Sequence, residues 1–183
     1  ITSAEPLKSG ETFVTSAFGS NTIFSSDNTI GAFLNNDYLN TSNGYLTNED
    51  IAMLEDSTTW YLGTVGSGAS YKLAKYTNET DNILTSSVTT AKVGLLRMGE
   101  LMAGQFERYA VKGGSSSTGL TTDYWTLTPY SSSYVRIVYV NGSADYSSPS
   151  DAGGVRPSIN LKSNVQIVNG DGTLQNPFTL SLQ

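Results

Sequence analysis

Apolar residues recur at two spacings along this chain, and the change between them divides it. Residues 1–26 carry Phe13, Phe18, Ile23 and Phe24 as apolar anchors among Ser, Thr and Gly, which predicts an extended or strand-like segment. From Asp27 the spacing turns helical. Ile30, Phe33, Leu34 and Tyr38 share one face of a short helix, with Ser26 or Asp27 placed to cap it. A loop with Asn43-Gly44 follows, and Ile51 with Leu54 marks a second amphipathic turn. Before it, Thr47-Asn-Glu-Asp50 sets a hydroxyl at the cap and a carboxylate three residues on, so the two can satisfy each other's backbone N–H groups. The acidic pairs Glu49-Asp50 and Glu55-Asp56 read as helix-end electrostatics rather than catalytic pairs.

Strand-like runs come next at Thr58–Val65, Tyr71–Tyr76 and Lys92–Leu96, then a weak third helix over Arg97–Gly104 with Leu101 and Met102 inward. The Gly- and Ser-rich run from Gly113 to Gly119 reads as a flexible surface loop. Asn141-Gly142 between two strand-like runs predicts a two-residue hairpin turn, because both residues tolerate positive φ. That turn would pair 140 with 143, 138 with 145 and 136 with 147. Ile137, Tyr139, Tyr146 and Ala144 would then face the core, with Arg136 and Val138 on the other face and Asp145 diagonal to Arg136. Val155, Pro157, Ile159 and Leu161 alternate with Arg156, Ser158, Asn160 and Lys162, a further half-buried strand that Pro157 confines to an edge or a strand start. No internal repeat or linker is evident. Strands and short helices in irregular order predict an α+β domain, a mixed, mainly antiparallel sheet with two or three short helices. Residues 1–26 would form an extended segment packed on a domain spanning 27–183.

Composition narrows the chemistry. The 183 residues include no Cys and no His, which removes Ser-His-Asp triads, thiol nucleophiles, structural zinc, iron–sulfur clusters and disulfides. None of the six lysines follows a Ser by three residues, and no Gly-rich phosphate loop is present. Ten cations against 16 anions give a net charge of −6, unsuited to nucleic acid. Apolar runs are only a few residues long, so this segment predicts no membrane span. Ser, Thr and Asn number 25, 22 and 14 and charged residues only 14%, against roughly 25% charged in ordinary soluble domains. Such a surface, with 11 Tyr, suggests an extracellular or cell-surface location. The start at Ile1 suggests that a leader, an anchor or a longer N-terminal segment was removed or never built.

Four stretches in succession carry a family resemblance. They are Phe33-Leu-Asn-Asn-Asp-Tyr-Leu-Asn40, Ala91-Lys-Val-Gly-Leu-Leu96, Tyr124-Trp-Thr-Leu-Thr-Pro129 and Gly154-Val-Arg-Pro-Ser-Ile-Asn-Leu-Lys162. Over residues 27–180 the chain resembles a family of uncharacterised extracellular domains of Gram-positive bacteria. These carry a Leu-Asn-x-x-Phe/Tyr helix, a Trp-x-x-(Ser/Thr)-Pro strand and a closing Gly-Val-Arg-Pro. The resemblance implies a C-type-lectin-like or formylglycine-generating-enzyme-like fold, sometimes attached to type IV pilin-like leader helices. The oxidase activity of that wider fold needs cysteines and does not carry over. The calcium-binding motifs of its lectins are absent as well.

Residues Asp123–Gly154 mix Tyr124, Trp125, Tyr130, Tyr134, Tyr139 and Tyr146 with Ser, Asn and Gly, a paratope-like composition. The predicted register buries Tyr139 and Tyr146, and Trp125 reads as core. Tyr130, Tyr134, Arg136 and Asn141 are left as exposed candidates for ligand binding. Asn169-Gly-Asp-Gly-Thr173 spaces oxygens like part of a calcium loop, but no carboxylate follows. It reads instead as a tight turn between two strands, so no metal and no cofactor is expected. Arg156 is expected to brace the preceding loop through its guanidinium donors. A Lys–Asn or Lys–Asp isopeptide cross-link, which needs a buried Lys beside a carboxylate, stays open. Three functions follow from these features. The first is a non-catalytic, pilus-associated (pilin-like) subunit or adhesin, whose partners would be host or bacterial surface proteins or glycans. The second is a carboxylate-dependent glycoside hydrolase or other carbohydrate-active protein, and the third is a purely structural filament subunit that meets only its neighbours.

Overall fold

Asn28 caps the first helix, one residue past Asp27. Its side-chain Oδ1 accepts the Gly31 N–H at 2.8 Å. This computed structural model describes residues 6–62, 88–102, 122–140, 144–173 and 175–183. Helix α1 (Thr29–Ala32) widens into a π-helical turn over Phe33–Asp37, closed by the Tyr38 N–H on the Phe33 carbonyl at 2.9 Å. The expected face is the one buried: Ile30, Leu34 and Tyr38 enter the core, with Phe33 packed against them. Helix α2 (Asn48–Met53) starts on the Thr47/Asp50 capping box that the sequence announces, each residue's side chain accepting from the other's backbone N–H.

Three short strands precede α1: β1 (Lys8–Ser9), β2 (Thr12–Phe13) and β3 (Thr15–Ala17). After α2 come β4 (Thr58–Tyr61), β5 (Val88–Ala91), β6 (Val93–Gly94) and α3 (Met98–Met102). The second half of the chain supplies β7 (Tyr124–Pro129), β8 (Val135–Val138), β9 (Ala144–Ser147), β10 (Ala152–Gly154) and β11 (Ser158–Ile159). A last hairpin joins β12 (Val165–Asn169) to β13 (Thr179–Leu182). The central sheet has the order β3-β10-β7-β8-β9. Among the described pairs of this sheet only β10–β7 is parallel. The fold is mixed α+β, its sheets mostly antiparallel and its helices few and short. The strand expected over Tyr71–Tyr76, the loop from Gly113 to Gly119 and Gly104 lie outside the described residues.

Two side chains tie the elements together. Asn35, in the π-helical turn, donates through Nδ2 to the carbonyls of Gly31 and Val93, and accepts the N–H groups of Lys92 and Val93 on Oδ1. One amide thus fills four hydrogen bonds and pins the helix to β6. Trp125 fixes the sheet. Its Nε1 donates to the Ser16 carbonyl of β3 at 2.9 Å, and its ring meets Phe18 edge-on at 5.7 Å. Gly153 of β10 lies against the indole, and a Cβ there would stand 2.6 Å from Nε1.

Three expectations need correction. Ile23 is 48% exposed, because the neighbouring Phe24 takes the core position. The alternation over residues 155–162 does not hold, since Val155, Arg156, Pro157 and Ser158 are all buried in succession. There the chain runs inside. The Leu7 N–H donates to the Val155 carbonyl and the Val155 N–H to the Val14 carbonyl, so the N-terminal segment covers the face that would otherwise meet solvent. Ladder pairing begins just after Pro157, with Ser158 opposite Gly94 and Ile159 opposite Val93. The third correction, to the hairpin register, is set out with the site it builds.

Replacing Gly153 with Ala drives a methyl into the Trp125 indole. The expected cost is about 1–3 kcal/mol, as for other overpacked cores, measured as a fall in denaturation midpoint.

Candidate functional site

Strands β8 and β9 pair Val135 with Ser147, Arg136 with Tyr146, Ile137 with Asp145 and Val138 with Ala144. That is one residue away from the register expected of an Asn-Gly turn. The reason lies at the end of β8. The Val140 N–H goes to the Asp123 Oδ1 at 2.8 Å rather than across the ladder, and the Tyr139 hydroxyl donates to the Tyr146 carbonyl at 2.9 Å. The strand ladder therefore closes at Val138–Ala144. Asn141 and its turn lie outside the described residues.

The slip exchanges the β9 side chains between faces, while Ile137 and Arg136 of β8 keep the sides expected of them. Val135 and Ile137 join Trp125 and Leu127 in the core. Arg136, expected at the surface, is 0% exposed on the opposite face, next to its cross-strand partner Tyr146. Tyr146, expected in the core, is 39% exposed, whereas Tyr139, half-buried, does pack against the core. Asp145 stands opposite Ile137 instead of diagonal to Arg136.

Around Arg136 the tyrosines gather. Its guanidinium carbon lies 4.4 Å from the Tyr130 ring centroid. The Tyr130 and Tyr146 rings stack at 4.2 Å with 4° between their planes, and Tyr134 leans on Tyr146 at 5.0 Å and 57°. Tyr134 is 42% exposed and Tyr130 half-buried, and exposed Ser131, Ser132 and Ser133 edge the cluster. Backbone bonds hold the corner, with the N–H groups of Tyr130 and Ser131 both donating to the Tyr134 carbonyl. Three phenol rings thus form a partly exposed aromatic surface over a buried cation. Such a contact is worth about 2 kcal/mol or more when desolvated.

The sequence singles out Tyr130 and Tyr134, and the structure places their rings side by side, 6.5 Å between centroids. Tyr146 was missed because its position depends on the register. Trp125 is core, as expected. Arg156 braces the interior: its Nη1 donates to the Tyr124 hydroxyl at 3.0 Å, which links β7 to the segment after β10. Burial pushes the Tyr124 phenol above its ordinary pKa, and Arg156 partly opposes this. Tyr139 is also raised, by burial first and then by Asp145, Asp123 and Asp151.

Asn169–Thr173, expected as a tight turn, instead opens a longer connection between β12 and β13, with Gly170 and Gly172 at φ of 87° and 79° and the N–H groups of Asp171 and Gly172 on the Asn176 carbonyl. Asp171 Oδ1 accepts the Thr173 N–H at 2.9 Å, so the carboxylate organises the turn itself. Lys92 and Lys162 both approach exposed Asp56, at 3.1 and 3.7 Å, as surface ion pairs. A separate cavity of about 200 Å³ opens beside β4 and β11, lined among others by Trp60, Arg97, Glu100 and Asn160. Among the described residues no group of three or more acidic side chains is placed to hold a metal, and no helix is long and apolar enough to cross a membrane. No family model, curated protein or solved structure matches the chain.

Arg136→Ala should cost more than about 2 kcal/mol, since it empties a fully buried site beneath the rings. Tyr134→Ala should cost less than about 1 kcal/mol, and paired urea titrations would separate the two. Backbone hydrogen bonding from Thr173 holds the Asp171 carboxyl below its ordinary pKa. A lowered pKa contributes stability that is complete above about pH 4, the ordinary carboxyl value, and fades as pH falls through the folded one. Asp171→Ala should therefore lower the Tm at neutral pH, with the difference from wild type shrinking in acid.

Proposed function

We propose that this chain is a non-catalytic extracellular module, a pilus-associated (pilin-like) subunit or adhesin with a C-type-lectin-like body. Tyr130, Tyr134 and Tyr146, with the serines beside them, form its recognition face. The observation that carries this reading is the aromatic cluster itself, three tyrosines left partly exposed although the sheet around them is well buried. Tyrosine offers a large contact area at low entropic cost, and serine supplies adaptable hydrogen bonds. Arg136 and the two strands beneath hold the rings in place before a partner arrives, which lowers the ordering cost of binding. The hydroxyl- and amide-rich composition supports an extracellular site of action, where the partner is a protein or glycan on another surface. A carboxylate-pair glycoside hydrolase has less support. That chemistry needs two acidic groups about 5–10 Å apart, and among the described residues lining the cavity Glu100 is the sole carboxylate.

Binding of labelled protein to host and bacterial cells and to a glycan array tests the proposal. The double variant Tyr134→Ala, Tyr146→Ala should bind about tenfold or more weakly, as truncated interface anchors do, while its melting curve stays close to wild type. Undiminished binding would remove the assignment of the face. If both tyrosines became protected only when the chain assembles with itself, a filament joint would replace adhesion.

A further inference from the structure

We infer a second binding site, apart from the tyrosine cluster, in the cavity beside β4 and β11: a pocket for one ring of a neutral saccharide. The argument begins with its wall. Trp60 is held from behind, its Nε1 donating to the Ala91 carbonyl at 3.0 Å. Gly94 lies so close that a Cβ there would stand 2.6 Å from the ring. The indole cannot retreat, and it lines the cavity. Thr59, Tyr61 and Asn160 at the rim are exposed, so the cavity opens to solvent. At about 200 Å³ it falls below the ~300–1,000 Å³ of drug-sized ligand sites, and so suits a single ring rather than a long chain.

The polar groups select the ligand's charge. Glu100 accepts the Arg97 N–H on Oε2 at 3.0 Å and the Arg97 Nη2 on Oε1 at 3.4 Å, so the two charges lie together and cancel. An anion would meet Glu100 and a cation would meet Arg97. A neutral polyol meets neither penalty, because each hydroxyl both donates and accepts. The guanidinium keeps further N–H donors, as Glu100 is its hydrogen-bond partner among the described residues. Asn160 adds an amide at the rim. Hydrogen bonds from hydroxyls to these charged groups are the stronger kind. The remaining requirement is an apolar surface for the C–H groups of a sugar ring, and the Trp60 indole is the aromatic group of the cavity wall that is held in place to supply it.

Saturation-transfer NMR on the full chain, with the methyl glycosides of glucose, galactose, mannose and N-acetylglucosamine as probes, tests this site. Acetate and inorganic phosphate serve as anionic competitors. At least one glycoside should receive saturation at its ring protons. Glu100→Gln should weaken that binding about tenfold or more, with an unchanged melting curve, and neither anion should compete. Tyr134→Ala should bind the glycoside as wild type does, which keeps failure here separate from failure of the adhesive face. Transfer to none of the four probes would overturn the inference. So would binding undiminished in both Glu100→Gln and Asn160→Ala, or displacement of the sugar by phosphate or acetate.

Discussion

The Trp125 indole fills the space that a side chain at Gly153 would need, and its N–H reaches past that strand to the Ser16 carbonyl. One residue of β7 thereby touches β10 and β3, while its cross-strand partner Ile137 belongs to β8. Four strands depend on that contact. The parallel β10–β7 pair brings Gly154 opposite Tyr124, and the Gly154 N–H closes on the Asp123 carbonyl at 2.6 Å. The adjacent glycines Gly153 and Gly154 are therefore a packing requirement. One makes room for the indole and the other for the neighbouring backbone.

With β7 fixed, β8 is covered on both faces, and this changes what its residues can do. Val135 and Ile137 meet the core, whereas Arg136 lies under the tyrosines on the other side and Val138 is buried there as well. A guanidinium in such a place is costly to desolvate. Contact with an aromatic face is one interaction that offsets the cost, and it also orders the ring it touches. The same residue type that would have been a surface contact becomes the support for one. Recognition, on the proposed reading, then falls to the phenol rings above it.

The two proposed sites use different parts of the fold and different chemistry. The tyrosine cluster stands on β8, β9 and the corner between β7 and β8, and it offers area. The cavity beside β4 and β11 offers enclosure, with an immobilised indole and a self-neutralised Arg97–Glu100 pair. A surface module that grips a partner broadly and samples a sugar ring separately would need such a division. Asn35 and Trp60 anchor the helix and β4 to the β5–β6 region through backbone carbonyls and N–H groups, so the cavity wall inherits the rigidity of the core.

Local features were legible from the chain alone wherever neighbours in sequence decide the outcome. The Thr47–Asp50 capping box, the buried face of Ile30, Leu34 and Tyr38, the positive-φ glycines at 170 and 172 and the mixed α+β class all depend on spacings of a few residues. The absence of His and Cys likewise bounds the available chemistry without any coordinates. Tertiary structure alone decided the register of β8 on β9, the burial of Arg136 and Arg156, the surfacing of Tyr146 and the meeting of Trp60 with Arg97 and Glu100. Each of these depends on a group distant in the chain: Asp123 taking the Val140 N–H, Tyr124 receiving Arg156, Leu7 and Val14 covering Val155. Periodicity reports which side of a strand differs from the other. It cannot report that a second layer will arrive to bury both.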